Sequence, residues 1–198
     1  MKSASSSCLV SVTDYLRTEE LSRVKREYVE GGVYPRDDTN TNHNTAAGNA
    51  LVGLHAALKG KKCRPFNSDM KVRIATPFAT RFYYPDVSVV CDSNPPDSSY
   101  QDRPVVIIEV ISESTRRLDE GEKRDGYFQI PTLRVYLLVE TNIRRVRVFR
   151  RGDHGFEPEV YTDLDEVIPL PEIDASLSLA DLYENVVIGG DAPDSEDD

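Results

Sequence analysis

Pro85-Asp86-Val87-Ser88-Val89-Val90, then a loop, then Pro104-Val105-Val106-Ile107-Ile108-Glu109-Val110-Ile111 is the stretch that decides how this chain is read. The second run has the length and β-branched content of a buried strand, and Glu109 is its only charge. An ionised carboxylate in such a strand is costly unless a metal, a cation or hydrogen bonds offset it. Asp86 sits at the start of the preceding strand, where the proline ahead of it is tolerated because no ladder bond is donated there. If the two strands are neighbours, their carboxylates converge at one edge of a sheet. That is the signature of a site.

Outward from this centre the pattern alternates between β and α. Thr13 to Arg17 predicts a short helix capped by Thr13 or Ser11, and Arg26 to Tyr34 a hairpin around Gly31-Gly32. Apolar residues from Ala46 to Leu58 recur at helical spacing, predicting a helix over 45–59 that Gly60 stops. Strands follow at 61–66, 69–75 and 84–91. A one-faced surface helix spans Thr115 to Gln129, ended by Pro131. Leu133 to Glu140 reads as another buried strand, paired through Thr141-Asn142 with the basic strand Arg144 to Arg150. Shorter strands are expected at 156–162 and 167–170, and a helical turn at 179–183. The class is mixed α/β around one sheet with few helices.

With 198 residues, 39% apolar and 29% charged, the chain is long enough for one domain with a hydrophobic core. No apolar run approaches the roughly 18 residues of a membrane-spanning helix. The start of the chain lacks the apolar core of a signal peptide. Residues 1–12 are expected to be a flexible leader, 13–188 the folded unit and 189–198 a disordered acidic tail. Cys8, Cys63 and Cys91 form no metal-ligand pattern and suit a reducing cytoplasm as idle thiols. The net charge is −10; Asp191, Asp194, Glu196, Asp197 and Asp198 contribute five negatives, leaving −5 elsewhere. That balance excludes a protein that coats nucleic acid by bulk electrostatics. Any such contact must use local patches, and Lys61, Lys62, Arg64, Arg145 and Arg147 are the candidates.

Taken in order, Arg26-Glu27-Tyr28-Val29-Glu30-Gly31, Asp69 to Ile74, Pro85-Asp86, Glu109-Val110-Ile111-Ser112, Lys123, Tyr127 and Ile130 to Val139 resemble the Uma-like restriction endonucleases of the PD-(D/E)XK nuclease superfamily. The resemblance covers most of residues 13 to 185. It implies a restriction-endonuclease-like fold, a central mixed β-sheet flanked by a few α-helices, and Mg²⁺- or Mn²⁺-dependent hydrolysis of DNA. Asp86 and Glu109 would hold the metal, with Glu27 as a further acid, since Mg²⁺ takes one or two carboxylates plus waters. The superfamily lysine lies two residues after the second acid, and here that position is Ile111. Lys123 is therefore the candidate for a relocated cation, with Lys71 its rival, and Tyr127 shares the Lys123 face.

Each residue also has an ordinary structural reading. Asp86 could bind backbone amides at a turn, Glu109 could pair with Arg73, Lys123 with Asp119, and Glu27 could be an exposed strand acid. His43, in a loop, and His55, in a helix, show no ligand spacing and read as core or surface residues. The competing function is a catalytically inactive module that keeps the nuclease fold for nucleic-acid or protein binding. Cutting a duplex with one site per chain would call for a homodimer.

Overall fold

β8 (Pro104–Ile111) is the strand around which everything packs, with β6 (Val87–Val90) antiparallel on one side and β9 (Val135–Glu140) parallel on the other. The computed structural model describes residues 9–36, 39–111 and 119–189. With β3 (Arg64–Asn67), β10 (Arg145–Gly152) and β11 (Gly155–Tyr161) these strands form a six-stranded mixed sheet in the order β11-β10-β9-β8-β6-β3. A second sheet takes β1 (Arg26–Val29), β2 (Gly32–Pro35), β4 (Lys71–Ala75), β5 (Thr80–Tyr83) and β7 (Tyr100–Gln101) in the order β2-β1-β5-β4-β7. β12 (Val167–Leu170) and β13 (Ala175–Ser178) make a separate ribbon. The fold is the expected mixed α/β class, but the single sheet predicted from sequence is divided.

Period-two alternation gives β8 two buried faces. Val106, Ile108 and Val110 pack with Val87, Val89, Leu137 and Val139 against Ala46, Ala50 and Leu54 of α2 (Thr41–Ala57). Ile107 and Ile111 join Tyr136, Leu138, Tyr83 and Tyr127 on the other face. Glu109 belongs to that second face. Ile111, at the superfamily lysine position, is simply core.

The chain passes between the two large sheets at Tyr84-Pro85-Asp86, so the end of β5 and the start of β6 flank their junction. The hairpin β1–β2 turns at Glu30-Gly31, both with positive φ, rather than at the predicted Gly-Gly pair. The helix α1 (Val12–Glu19) is capped by Ser11, and Val10 N–H donates to Gly31 carbonyl at 2.9 Å. Residues 9–12 are thus tied to the hairpin instead of forming part of a flexible leader. Residues 190–198, nearly all of the predicted acidic tail, and residues 112–118, the start of the predicted 115–129 helix, lie outside the described residues. What is described there is a π-turn over Asp119–Lys123 running into a helical turn over Arg124–Tyr127.

Cys63 and Cys91 form a disulfide, which corrects their reading as idle thiols. They lie one step beyond the Arg64↔Val90 pair, facing each other across the edge of β3 and β6. Closing the loop between residues 28 apart should stabilise the fold by about 3 kcal/mol. Reduction with dithiothreitol is accordingly expected to lower the melting temperature by about 8 °C. An unchanged melting curve with the thiols free by alkylation would show that the bridge carries no stability.

Candidate active site

Glu27 enters the site from β1, Glu109 from β8, and Asp86 from the link between the two sheets. Extending the Val87↔Ile108 register by one residue sets Asp86 opposite Glu109, where cross-strand Cβ atoms stand about 5 Å apart. Lys123 closes the group from the π-turn: its Nζ lies 3.0 Å from Glu27 Oε1 and 3.9 Å from Glu109 Oε1. Tyr127, one helical turn on, donates from its hydroxyl to Glu109 Oε1 at 2.9 Å. The five residues singled out in the sequence therefore line or abut one cleft of about 420 Å³, whose wall also includes Val29, Tyr34, Pro35, Arg36, Thr39, His43, Tyr83, Val110 and Glu122.

The ordinary structural readings fare differently one by one. Glu109 is 2% exposed, and Arg73 is not its partner. Arg73 sits across from Asp102, which it grips with two hydrogen bonds of 2.6 and 3.0 Å. Glu27 is buried, not an exposed strand acid; Tyr84 N–H donates to its Oε1 at 3.2 Å. Lys123 is buried and turned inward, and the Asp119 side chain proposed for it lies outside the description. Asp86 does bind a backbone amide, since Val110 N–H donates to its Oδ2 at 2.8 Å. It does more besides.

Two partners of Asp86 were not assigned from sequence. Arg36, just past β2, hydrogen-bonds Asp86 Oδ1, and His43 Nε2 stands 3.0 Å from Oδ2. Burial alone would raise the Asp86 pKa; the His43 contact, the Arg36 charge and the Val110 amide together hold it below the ordinary aspartate value. Burial works against the charge on Arg36 too, yet Asp86, Glu109 and Glu27 raise its pKa, so all three acids act on one guanidinium. His43 is buried because α2 begins at Thr41, capped by the Asn40 side chain on His43 N–H at 2.9 Å, four residues ahead of the predicted start.

The predicted basic patches are largely spoken for. Lys61 is bound to Asp174, with Nζ 2.9 Å from its carboxylate, while Arg145 and Arg147 lie 2.6 and 3.5 Å from buried Glu140. Lys62 and Arg64 stay exposed. They follow the C-terminal end of α2, so roughly 21 Å of helix separates this cluster from His43. Lys71 lies away from the cleft, its Nζ 3.4 Å from Tyr84 Oη, with burial lowering its pKa against Glu19 and Glu20.

The donor set is hard oxygen, which suits Mg²⁺ or Mn²⁺. No three His, Cys, Asp or Glu side chains among the described residues are already gathered at ligand spacing, but Mg²⁺ commonly takes only one or two carboxylates. Asp86 and Glu109, which line the same cleft, fit that demand.

The buried groups also set pH limits. Burial, reinforced by neighbouring acids, raises the pKa of Tyr127, Tyr83 and Tyr84 above the ordinary value near 10. The folded state thus holds those protons more tightly than the unfolded one, so stability is level below pH 10 and falls as pH rises beyond it. Asp86 has the opposite sign: its stabilisation holds above about pH 3.9 and is lost as pH falls toward its depressed value. Thermal melts from pH 2 to 12, with tyrosinate absorbance followed in parallel, check both limbs. Phenolate forming near pH 10 without loss of structure would contradict the alkaline limb.

Residues 12–181 match the family Uma2, described as "Putative restriction endonuclease". Two proteins of Synechocystis sp., both described as uncharacterized, are similar to this chain. One is 32% identical over 147 residues, covering 74% of this chain and 76% of its own length. The other is 30% identical over 149 residues, covering 73% and 83%. A protein from Anabaena variabilis described as "a putative nuclease belonging to DUF820" has a crystal structure that superposes with a TM-score of 0.72. It is 18% identical, with 90% of this chain and 99% of that chain covered. That last likeness is one of fold.

Proposed function

The chain belongs to the Uma2 family of restriction-endonuclease-like proteins, and from that premise we propose that it is a nuclease that hydrolyses DNA phosphodiesters with a divalent cation. The observation that carries the reading is the convergence of Glu27, Asp86 and Glu109 with Lys123 in one cleft. Asp86 and Glu109 would hold Mg²⁺ or Mn²⁺, which when bound activates water and offsets phosphate charge. Lys123 places its ammonium where negative charge grows on the phosphoryl oxygens as water adds and one P–O ester bond breaks. Glu27, 3.0 Å from that ammonium, orients it. Tyr127 donates its hydroxyl to Glu109 Oε1 and so fixes that carboxylate in the cleft.

The unit that does this is residues 13–188, and cutting both strands of a duplex would take two such chains. A cytoplasmic location belongs to the same reading. No helix among the described residues is long and apolar enough to cross a membrane.

The inactive-module reading has one observation in its favour. Both Asp86 oxygens already have protein partners in Arg36, His43 and Val110. Calorimetric titration with Mn²⁺, alongside cleavage of supercoiled plasmid in Mg²⁺, separates the two. Cation binding that Asp86→Asn abolishes, together with nicking, supports the nuclease. Neither binding nor nicking supports the module.

A further inference from the structure

The cleft has two unlike walls. Beside its acids and cations the lining includes Val29, Tyr34, Pro35 and Tyr83, apolar surface that a phosphodiester backbone has no use for. Tyr34 is the odd member: a large aromatic, 57% exposed, on β2 directly across from Glu27 in the hairpin register. Cross-strand partners share a face, so the ring stands beside the acid that meets Lys123. Its position depends on Gly32, the same-face neighbour two residues back. A Cβ at Gly32 would come within 2.6–2.8 Å of the ring's outer atoms, so the hydroxyl end of the Tyr34 ring packs against the bare glycine.

A half-exposed aromatic ring lining an acid-bearing cleft offers a stacking platform, and every nucleobase has a π-face to set against it. A volume of about 420 Å³ suits a single nucleotide. Duplex binding, by contrast, draws its affinity from many phosphate contacts. Here the net charge is −10, and the cations near the cleft already have acids: Arg36 with Asp86, Lys123 with Glu27, Arg81 with Glu30. We propose that Tyr34 stacks on an unpaired base beside the scissile phosphate, so that the site takes single-stranded or bulged nucleic acid in preference to intact duplex. This rests on the nuclease reading and narrows its substrate. One chain then suffices for a cut.

The test uses the full chain in Mn²⁺ with three substrates of one sequence: a single-stranded 30-mer, its blunt duplex and a duplex with a three-nucleotide bulge. The single strand and the bulge should be cut with a kcat/KM on the order of tenfold above the blunt duplex. Tyr34→Ala should raise KM for the single strand by roughly tenfold with kcat nearly unchanged, while Tyr34→Phe, which keeps the ring, stays near wild type. Gly32→Ala, which pushes the ring off its support, should behave like Tyr34→Ala with an unchanged melting temperature. A blunt duplex cut as readily as the single strand, or an unchanged KM in Tyr34→Ala, overturns the stacking proposal and leaves the nuclease standing. No cleavage of any of the three substrates overturns both.

Discussion

Lys123→Ala is expected to slow metal-dependent cleavage on the order of 10²–10³-fold while Lys71→Ala stays near wild type, because only one of the two lysines reaches the acids. The Lys123 ammonium stands within 4 Å of both Glu27 and Glu109. Removing it deletes a charge that counts most when the phosphoryl group carries most of its own. Lys71 is equally buried but faces Tyr84 on the far side of the five-stranded sheet. Its loss should register in stability instead. Cation affinity gives a second readout with a definite sign. Taking a positive charge from between two carboxylates leaves them more attractive to Mn²⁺, so Lys123→Ala should bind the ion at least as tightly as the parent. A slow variant that has also lost its cation would mean that Lys123 organises the acids and has no charge role of its own. A crippled Lys71→Ala beside an active Lys123→Ala would put the catalytic cation on the wrong element here.

The parts of this site that were legible in sequence share one property: they break a pattern. Glu109 interrupts an apolar strand, and Asp86 follows a proline at a strand start. Lys123 and Tyr127 stand at helical spacing just after that strand. Arg36 and His43 break nothing. Arg36 reads as a loop cation, and its partner Asp86 is 50 residues away. His43 was lost through a boundary. The first turn of α2, Thr41-Asn42-His43-Asn44, is polar, so the hydrophobic period becomes visible only at Ala46. Running the Ala50–Leu54 stripe back two turns lands on His43, and Asn40 is a good N-cap; those were the available signals.

The division into two sheets was hidden for a related reason. β5 and β7 are four and two residues long, too short for a period to declare itself. Arg73 goes to Asp102 because β4 pairs with β7 in parallel, in the register Val72↔Gln101. Glu27 looked like a solvent-facing acid because its hairpin alternates; Tyr84 and Lys123, distant in sequence, close over it, and a hairpin read alone cannot show that.

Asp86→Ala should have the largest total effect, and its two components can be pulled apart. The carboxylate is a proposed metal ligand and also the counter-charge for Arg36, the partner of His43 Nε2 and an acceptor for Val110 N–H. Deleting one partner of a buried pair strands the other, at about 3–5 kcal/mol, so the melting temperature should fall by roughly 10 °C as cleavage disappears. A drop in both quantities does not by itself distinguish a ligand from a structural cap. The double variant Asp86→Ala/Arg36→Met does. It removes the stranded guanidinium and puts apolar volume in its place, an exchange that is often close to neutral in a core. Much of the lost melting temperature should return, with His43 alone left without its acid. If Asp86 holds the cation, Mn²⁺ binding and cleavage stay absent in the double variant, because no carboxylate has been restored opposite Glu109. If Asp86 only keeps Arg36 in place, recovery of the fold should bring recovery of activity. Asp86→Asn adds a third point. Its amide oxygen can still accept from Val110 N–H, so the fold should suffer less than in Asp86→Ala. Its cation affinity should nonetheless be lost, since replacing one of the two carboxylates by a neutral amide halves the negative charge the pair offers the ion.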